Sequence, residues 1–117
     1  MHELSIAQIL VEQVVAAARK AGATRVIQVS VALGNLGTVN PDALAAAFPI
    51  AAEHTFIAGT TLSIRRVPVR CDCKACGMTT EPEFPFQTCG ACGSGNVTVL
   101  NGHELLLEAI ELDVPVN

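Results

Sequence analysis

The chain contains no tryptophan and no tyrosine, and only four of its 117 residues are phenylalanine. Any core must therefore be aliphatic; half of the residues are apolar, which is enough to build one. The shortage of aromatics also removes the stacking platforms on which single-stranded nucleic acids are bound. Basic residues are scarce: 7 Lys and Arg stand against 11 Asp and Glu, for a formal net charge of −4. An acidic balance argues against a phosphate backbone as the main partner, and the one basic cluster, Arg65-Arg66 followed by Arg70 and Lys74, is small. No stretch reaches the roughly 18 continuous apolar residues of a membrane span. The N-terminus lacks a basic region leading into an apolar run and cleavage site, so no export signal is read and a cytoplasmic location is expected. There is no Gly-rich phosphate loop, nucleophile motif or carboxylate pair spaced for acid–base work, and no enzymatic activity is expected. Glu81 and Glu83, beside prolines, read as solvated charges.

What the chain does have is cysteine in a pattern. Cys73-Lys74-Ala75-Cys76-Gly77 and Cys89-Gly90-Ala91-Cys92-Gly93 form two matched knuckles with twelve residues between them. Each C-x-x-C turn brings two sulfurs to one side of a tight loop, and two such turns complete a tetrahedral zinc site. The glycine after each second cysteine permits the twist that turns amide N–H groups toward the thiolates. A redox pair uses a single C-x-x-C ahead of a helix, and disulfides suit an exported chain. Zinc held by Cys73, Cys76, Cys89 and Cys92 is the expectation. Cys71 lacks the knuckle glycine and is read as a spare thiol.

The remaining order is α+β: two helices on a small mixed three-stranded sheet, with an inserted zinc-ribbon-like module. A helix is predicted from Glu3 to Ala21, with Leu4, Ala7, Val11, Val14 and Ala18 on its apolar stripe and Gly22 as its stop. A strand follows from Arg25 to Leu33, with Ile27, Val29, Val31 and Leu33 on one face. A second helix is expected to start at Asn40 as N-cap with Pro41 at the first helical position, and to break or kink at Pro49. Thr60 to Val69 reads as a strand whose apolar phase slips at Arg65-Arg66, suggesting a bulge. Glu104 to Asp113 fits either a helix or a strand by periodicity; a strand completing the sheet is preferred. The expected domains are residues 1–69 plus 97–117, and a metal-stapled module over 70–96 inserted between two paired strands. Zinc would supply the stability this module cannot obtain by burial, on the order of 10 kcal/mol.

At the other end, Met1-His2-Glu3 leads directly into the first helix. A histidine near a terminus is usually solvent-exposed and idle, but this one has a specific alternative. The α-amine and the His2 backbone nitrogen can close a five-membered chelate ring, and that nitrogen with the His2 Nδ1 closes a six-membered one. Nitrogen sites of this kind suit Ni(II) or Cu(II). The first helical N–H groups have no carbonyl partner, so deprotonating them breaks no helix bond. His54 and His103 read as ordinary surface histidines.

Taken together, the Met1-His2-Glu3-Leu4-Ser5 start, the knuckles over residues 73–92, the Gly59-Thr60-Thr61-Leu62 strand entry and the length resemble the HypA/HybF family of hydrogenase nickel-incorporation proteins. The resemblance implies a nickel metallochaperone with a separate structural zinc site. Nickel would use the Met1 amine, His2 through backbone and imidazole, and Glu3 through its backbone. It further implies delivery of Ni(II) to the large subunit of a [NiFe] hydrogenase together with an accessory GTPase, and in some members support of urease maturation. A different reading of the same residues is a zinc-stabilised protein-interaction adapter with an inert N-terminus.

Overall fold

A computed structural model of the protein, which describes residues 2–82 and 87–115, runs α1 (Glu3–Lys20), β1 (Arg25–Gly34), α2 (Pro41–Ala52), β2 (Thr61–Val67), β3 (Arg70–Cys73), β4 (Thr79–Thr80), β5 (Val97–Asn101) and β6 (Leu105–Asp113). The strands form two three-stranded sheets, one ordered β2-β1-β6 and the other β4-β3-β5. The chain divides into two compact units. The first takes residues 1–31, 38–65 and 107–117, and the second takes 32–37 and 66–106.

In the first unit, α1 and α2 pack together and their buried faces share a core with β1. Ala7, Leu10, Val11, Val14 and Ala18 line the buried face of α1. The expected stripe thus begins one turn late: Leu4 is 46% exposed and Leu10 takes its place. Helical side chains tilt toward the N-terminus, so a residue in the first turn reaches past the end of its own helix. The ladder closes at Gly22 (φ 71°), where Ala23 N–H donates to Ala18 O at 3.0 Å.

Helix α2 begins as its sequence directs. Asn40 Oδ1 accepts from Ala43 N–H at 3.0 Å, and Pro41 occupies the first helical position. Pro49 does not end it; the helix continues to Ala52 with the proline inside. A proline there removes one backbone donor, and burial on both sides of it, with Phe48 and Ala52 fully enclosed, holds the last turn in place.

The first sheet is mixed. Thr24 N–H, just ahead of β1, donates to Asp113 O at the end of β6 (2.8 Å), so these strands run antiparallel. Thr60 Oγ1, just ahead of β2, donates to Val26 O near the start of β1 (3.0 Å), as for parallel strands joined by a helix. Glu104 to Asp113 resolves as a strand, because it completes this sheet. β2 and β6 flank β1, so the segment between them does not join two strands paired with each other, as expected, but the two neighbours of one central strand. The inward set of β1 also differs from strict alternation: Val26, Val29 and Val31 enter the core, while Ile27 is half-buried. In β2, Leu62 and Ile64 face inward, Arg65 and Arg66 are both exposed and Val67 is buried, the phase slip expected at the paired arginines.

The second unit carries the small sheet. β3 pairs antiparallel with β4 (Cys71 opposite Thr80) and with β5 (Cys73 opposite Val97). The 70–96 segment lies inside this unit, which also takes in β5, since β5 is the principal partner of β3. Residues 34–36 meet 102–104: Gly34 N–H donates to Glu104 O (2.8 Å) and Leu36 N–H to Gly102 O (2.7 Å). A Cβ on Gly34 would collide with the Gly102 carbonyl, so only glycine allows this approach.

Among the described residues, Phe48 is the largest fully buried side chain. Phe48→Ala is expected to cost about 3–5 kcal/mol in denaturant unfolding, since a cavity adds to the lost transfer energy. On the surface, Arg65 grips Glu108 through two bonds (Nε to Oε1 2.9 Å, Nη2 to Oε2 3.0 Å), which lowers the Glu108 carboxyl below its ordinary range. A depressed carboxylate contributes stability above its unfolded pKa and loses it as pH falls through the folded value. The stability difference between wild type and Glu108→Gln should therefore be constant near neutral pH and shrink below about pH 4.5; a difference independent of pH down to acid unfolding would contradict this.

Candidate metal centres

The two knuckles are near copies of one another. Gly77 (φ 77°) donates N–H to Cys73 O at 3.0 Å, and Gly93 (φ 78°) donates to Cys89 O at 2.9 Å. Cys73 N–H donates to Met78 O (2.9 Å), and Cys89 N–H donates to Ser94 O (2.8 Å). A positive φ closes each loop so that later amides point back at the first sulfur. Cys76 N–H reaches Cys73 Sγ at 3.4 Å, while Ala91 and Cys92 N–H reach Cys89 Sγ at 3.3 and 3.4 Å. The second knuckle is tied to β4 by Gly90 N–H donating to Thr80 Oγ1 at 2.9 Å.

The four sulfurs lie within 4.8 Å of one another. Their closest pairs cross between knuckles, Cys73 with Cys92 and Cys76 with Cys89, each at 3.6 Å. A tetrahedron with Zn–S bonds of about 2.3 Å has sulfur–sulfur edges of about 3.8 Å, so the donor set and its spacing fit zinc. Electrostatics within the cluster alternate. Amide donation from Cys76 lowers the Cys73 thiol, and donation from Cys92 and Ala91 lowers Cys89 to about 6. Met78 N–H pulls Cys76 downward, but hydrogen bonding with Cys89 and desolvation prevail and push it up to about 12. Ser94 N–H acts likewise on Cys92, where Cys73 and Cys89 outweigh it and raise the thiol. In each cross-knuckle pair, the first cysteine's thiol is thus lowered and that of the second cysteine of the other knuckle is raised. Cys71 is fully buried in β3, opposite Val99 and Thr80, outside the group of four.

At the other end, His2 is the N-cap of α1 and makes no side-chain capping bond. Its side chain is exposed. The helical ladder begins with Ile6 N–H donating to His2 O at 3.2 Å, so the His2 and Glu3 amides precede the first helical donor. Met1, expected as a nickel ligand, lies outside the described residues. Glu3 has a partner that sequence spacing does not reveal: its Oε2 accepts Asn40 N–H at 3.0 Å, from the N-cap of α2. That bond is the main reason the Glu3 carboxyl sits below its usual range, despite some opposing desolvation. Asn40 is 37 residues away in the chain; its capping role is legible in sequence, but no local signal pairs it with Glu3. His54 sits in the loop after α2, and His103 lines a shallow depression with Val99, Leu100, Asn101 and Glu104. Neither belongs to the cysteine group.

A model of the protein family described as hydrogenase/urease nickel incorporation, metallochaperone, HypA matches residues 1–112. The chain belongs to this family. Among curated relatives, a hydrogenase maturation factor HypA from Nitrosospira multiformis is 40% identical over 112 residues, covering 96% of this chain and 97% of that one. The namesake factor from Geobacter metallireducens is 38% identical over 117 residues, covering 97% of this chain and all of the relative. The solution structure of the nickel metallochaperone HypA from Helicobacter pylori aligns with a TM-score of 0.67 at 26% identity, covering 98% of this chain and all of that one. The family is described by nickel incorporation, and the four-cysteine cluster here has the donors and spacing of a structural zinc site. Among the described residues, no helix is long and apolar enough to cross a membrane.

Because the Cys76 thiol is pushed up to about 12, zinc must displace its proton at neutral pH. Zinc binding by the metal-free protein should release protons into weakly buffered solution and weaken as pH falls. Cys76→Ser and Cys92→Ser should each lose zinc measured by elemental analysis, whereas Cys71→Ser should keep it; retention of zinc by the first two would rule out this ligand set.

Proposed function

We propose that the chain is a nickel carrier that binds Ni(II) at its N-terminus and delivers it to the large subunit of a [NiFe] hydrogenase during maturation. It works with the accessory GTPase of that process and extends to urease maturation factors. The zinc site is structural and nickel is cargo. The observation that supports this most directly is the state of the helix start. The His2 and Glu3 amides precede the first helical donor, and the Glu3 carboxylate is already committed to Asn40. Glu3 is then left to ligate through its backbone nitrogen, alongside the Met1 amine and the backbone nitrogen and imidazole of His2. Nitrogen donors in that arrangement favour Ni(II) in a planar field. The bond from Asn40 also fixes the first turn, so the chelating atoms are held on a helix whose far face is in the core. In this arrangement residues 1–69 and 97–117 carry the nickel function and residues 70–96 the zinc.

The test is a Ni(II) titration of three proteins: the native chain, the chain with its N-terminal amine acetylated or extended by one residue, and His2→Ala. The native protein should take up about one nickel tightly, as nitrogen-rich sites do. Both alterations should abolish that uptake while leaving zinc content unchanged. Equal nickel binding by all three would refute the N-terminal site.

A further inference from the structure

The two knuckles differ in sequence at one position, Lys74 in the first and Gly90 in the second. The amide at that position has the same task in both: it donates across to the other half of the site. Lys74 N–H donates to Asn96 O at 2.9 Å, and Gly90 N–H donates to Thr80 Oγ1 at 2.9 Å. Thr80 and Asn96 stand equally far along the chain from Cys73 and Cys89, the first cysteines of their knuckles. Two corresponding cross-links therefore bind the halves together. One acceptor is a main-chain carbonyl, which any residue supplies. The other is a side-chain hydroxyl, which only particular residues can supply.

Gly90 lies outside the left-handed region that Gly77 and Gly93 occupy, so its backbone conformation does not call for glycine. The neighbouring side chain does: a Cβ on Gly90 would stand 3.3 Å from Thr80 Cβ, tighter than ordinary contact. Thr80 belongs to β4, whose register on β3 sets it opposite Cys71, with Thr79 opposite Asp72. The Thr79 hydroxyl donates to the Asp72 carboxylate, so the two hydroxyls of β4 serve different partners. The exit from the second knuckle is held by main chain, since Asn96 leads into β5, where Val97 pairs with Cys73. Among the described residues, Thr80 is the one side chain outside the knuckles that hydrogen-bonds to residues 89–93. We infer that Thr80 is a positioning residue for zinc: its hydroxyl holds Gly90, and with it Cys89 and Cys92, against Cys73 and Cys76 before the ion arrives. Preorganised ligands bind more tightly because less ordering remains to be done on binding. The inference rests on the four-cysteine zinc site and not on nickel.

Thr80→Val keeps the shape of the side chain and suits a strand as well as threonine does, while it removes the acceptor. The full-length protein is stripped of metal in the presence of a phosphine reductant, and its zinc affinity is measured by competition with a chromophoric chelator. Thr80→Val should bind zinc about threefold to tenfold more weakly than the wild type, the worth of one ordinary hydrogen bond. Thr80→Ser restores the hydroxyl and should stay within about twofold of the wild type. Thr79→Val removes the other hydroxyl of β4 and should leave the affinity unchanged, which separates placement of the knuckle from stability of the strand. Equal affinity in Thr80→Val and the wild type, an equal loss in Thr79→Val, or no recovery in Thr80→Ser would overturn the inference and leave the four ligands standing. A wild type that takes up no zinc would overturn both. None of these outcomes depends on nickel, so failure here leaves the carrier reading intact.

Discussion

Four sulfur ligands gathered within 4.8 Å are the constraint on which the second unit depends. The sheet beside them is slight. β4 spans two residues and β3 spans four, and few of their side chains are buried. A segment of that size does not bury enough apolar surface to hold itself. The thiolates replace a core with coordination chemistry: the knuckle amides direct partial positive charge at Cys73 and Cys89, and a divalent cation removes the proton conflict on Cys76 and Cys92. The first unit solves the same problem differently. Its core is aliphatic apart from Phe48, with alanines and valines on α1, α2 and β1 allowing close packing.

Much of this was legible in the sequence because the signals are local. A knuckle is a five-residue event, and both glycines adopt the positive φ that their position after the second cysteine demands. Asn40 and Pro41 announced the start of α2, and the polar–apolar rhythm of residues 3–20 announced α1. The failures are where distant parts of the chain decide. Pro49 does not break α2, which continues to Ala52 with Phe48 and Ala52 buried on either side of it. Val26 is buried while Ile27 is only half-buried, which a strictly alternating pattern does not anticipate. The segment after Glu104 could be resolved only by the sheet waiting for it.

The candidate sites divide along the same line. Zinc ligands are legible because metal coordination requires four like residues at fixed spacing, a pattern chance seldom supplies. The N-terminus offers only three ordinary residues, and its chemistry rests on main-chain atoms that every protein has. What the structure adds is the Glu3–Asn40 bond, which joins the starts of both helices. Two helix N-termini would otherwise present partial positive charge side by side; a carboxylate placed between them satisfies one and neutralises part of both.

The unequal exposure within each knuckle has a kinetic consequence. Cys73 and Cys89 are buried, at 4% and 3% exposure, whereas Cys76 and Cys92 are exposed. A metal held by these four sulfurs has an inner and an outer hemisphere. A chelator or small thiol approaching from solvent encounters the outer sulfurs first, and those are the two with the stronger hold on protons. Ligand exchange at a bound ion would then start at Cys76 and Cys92, with Cys73 and Cys89 left to hold the ion, so the site could be tight at equilibrium and still open to replacement.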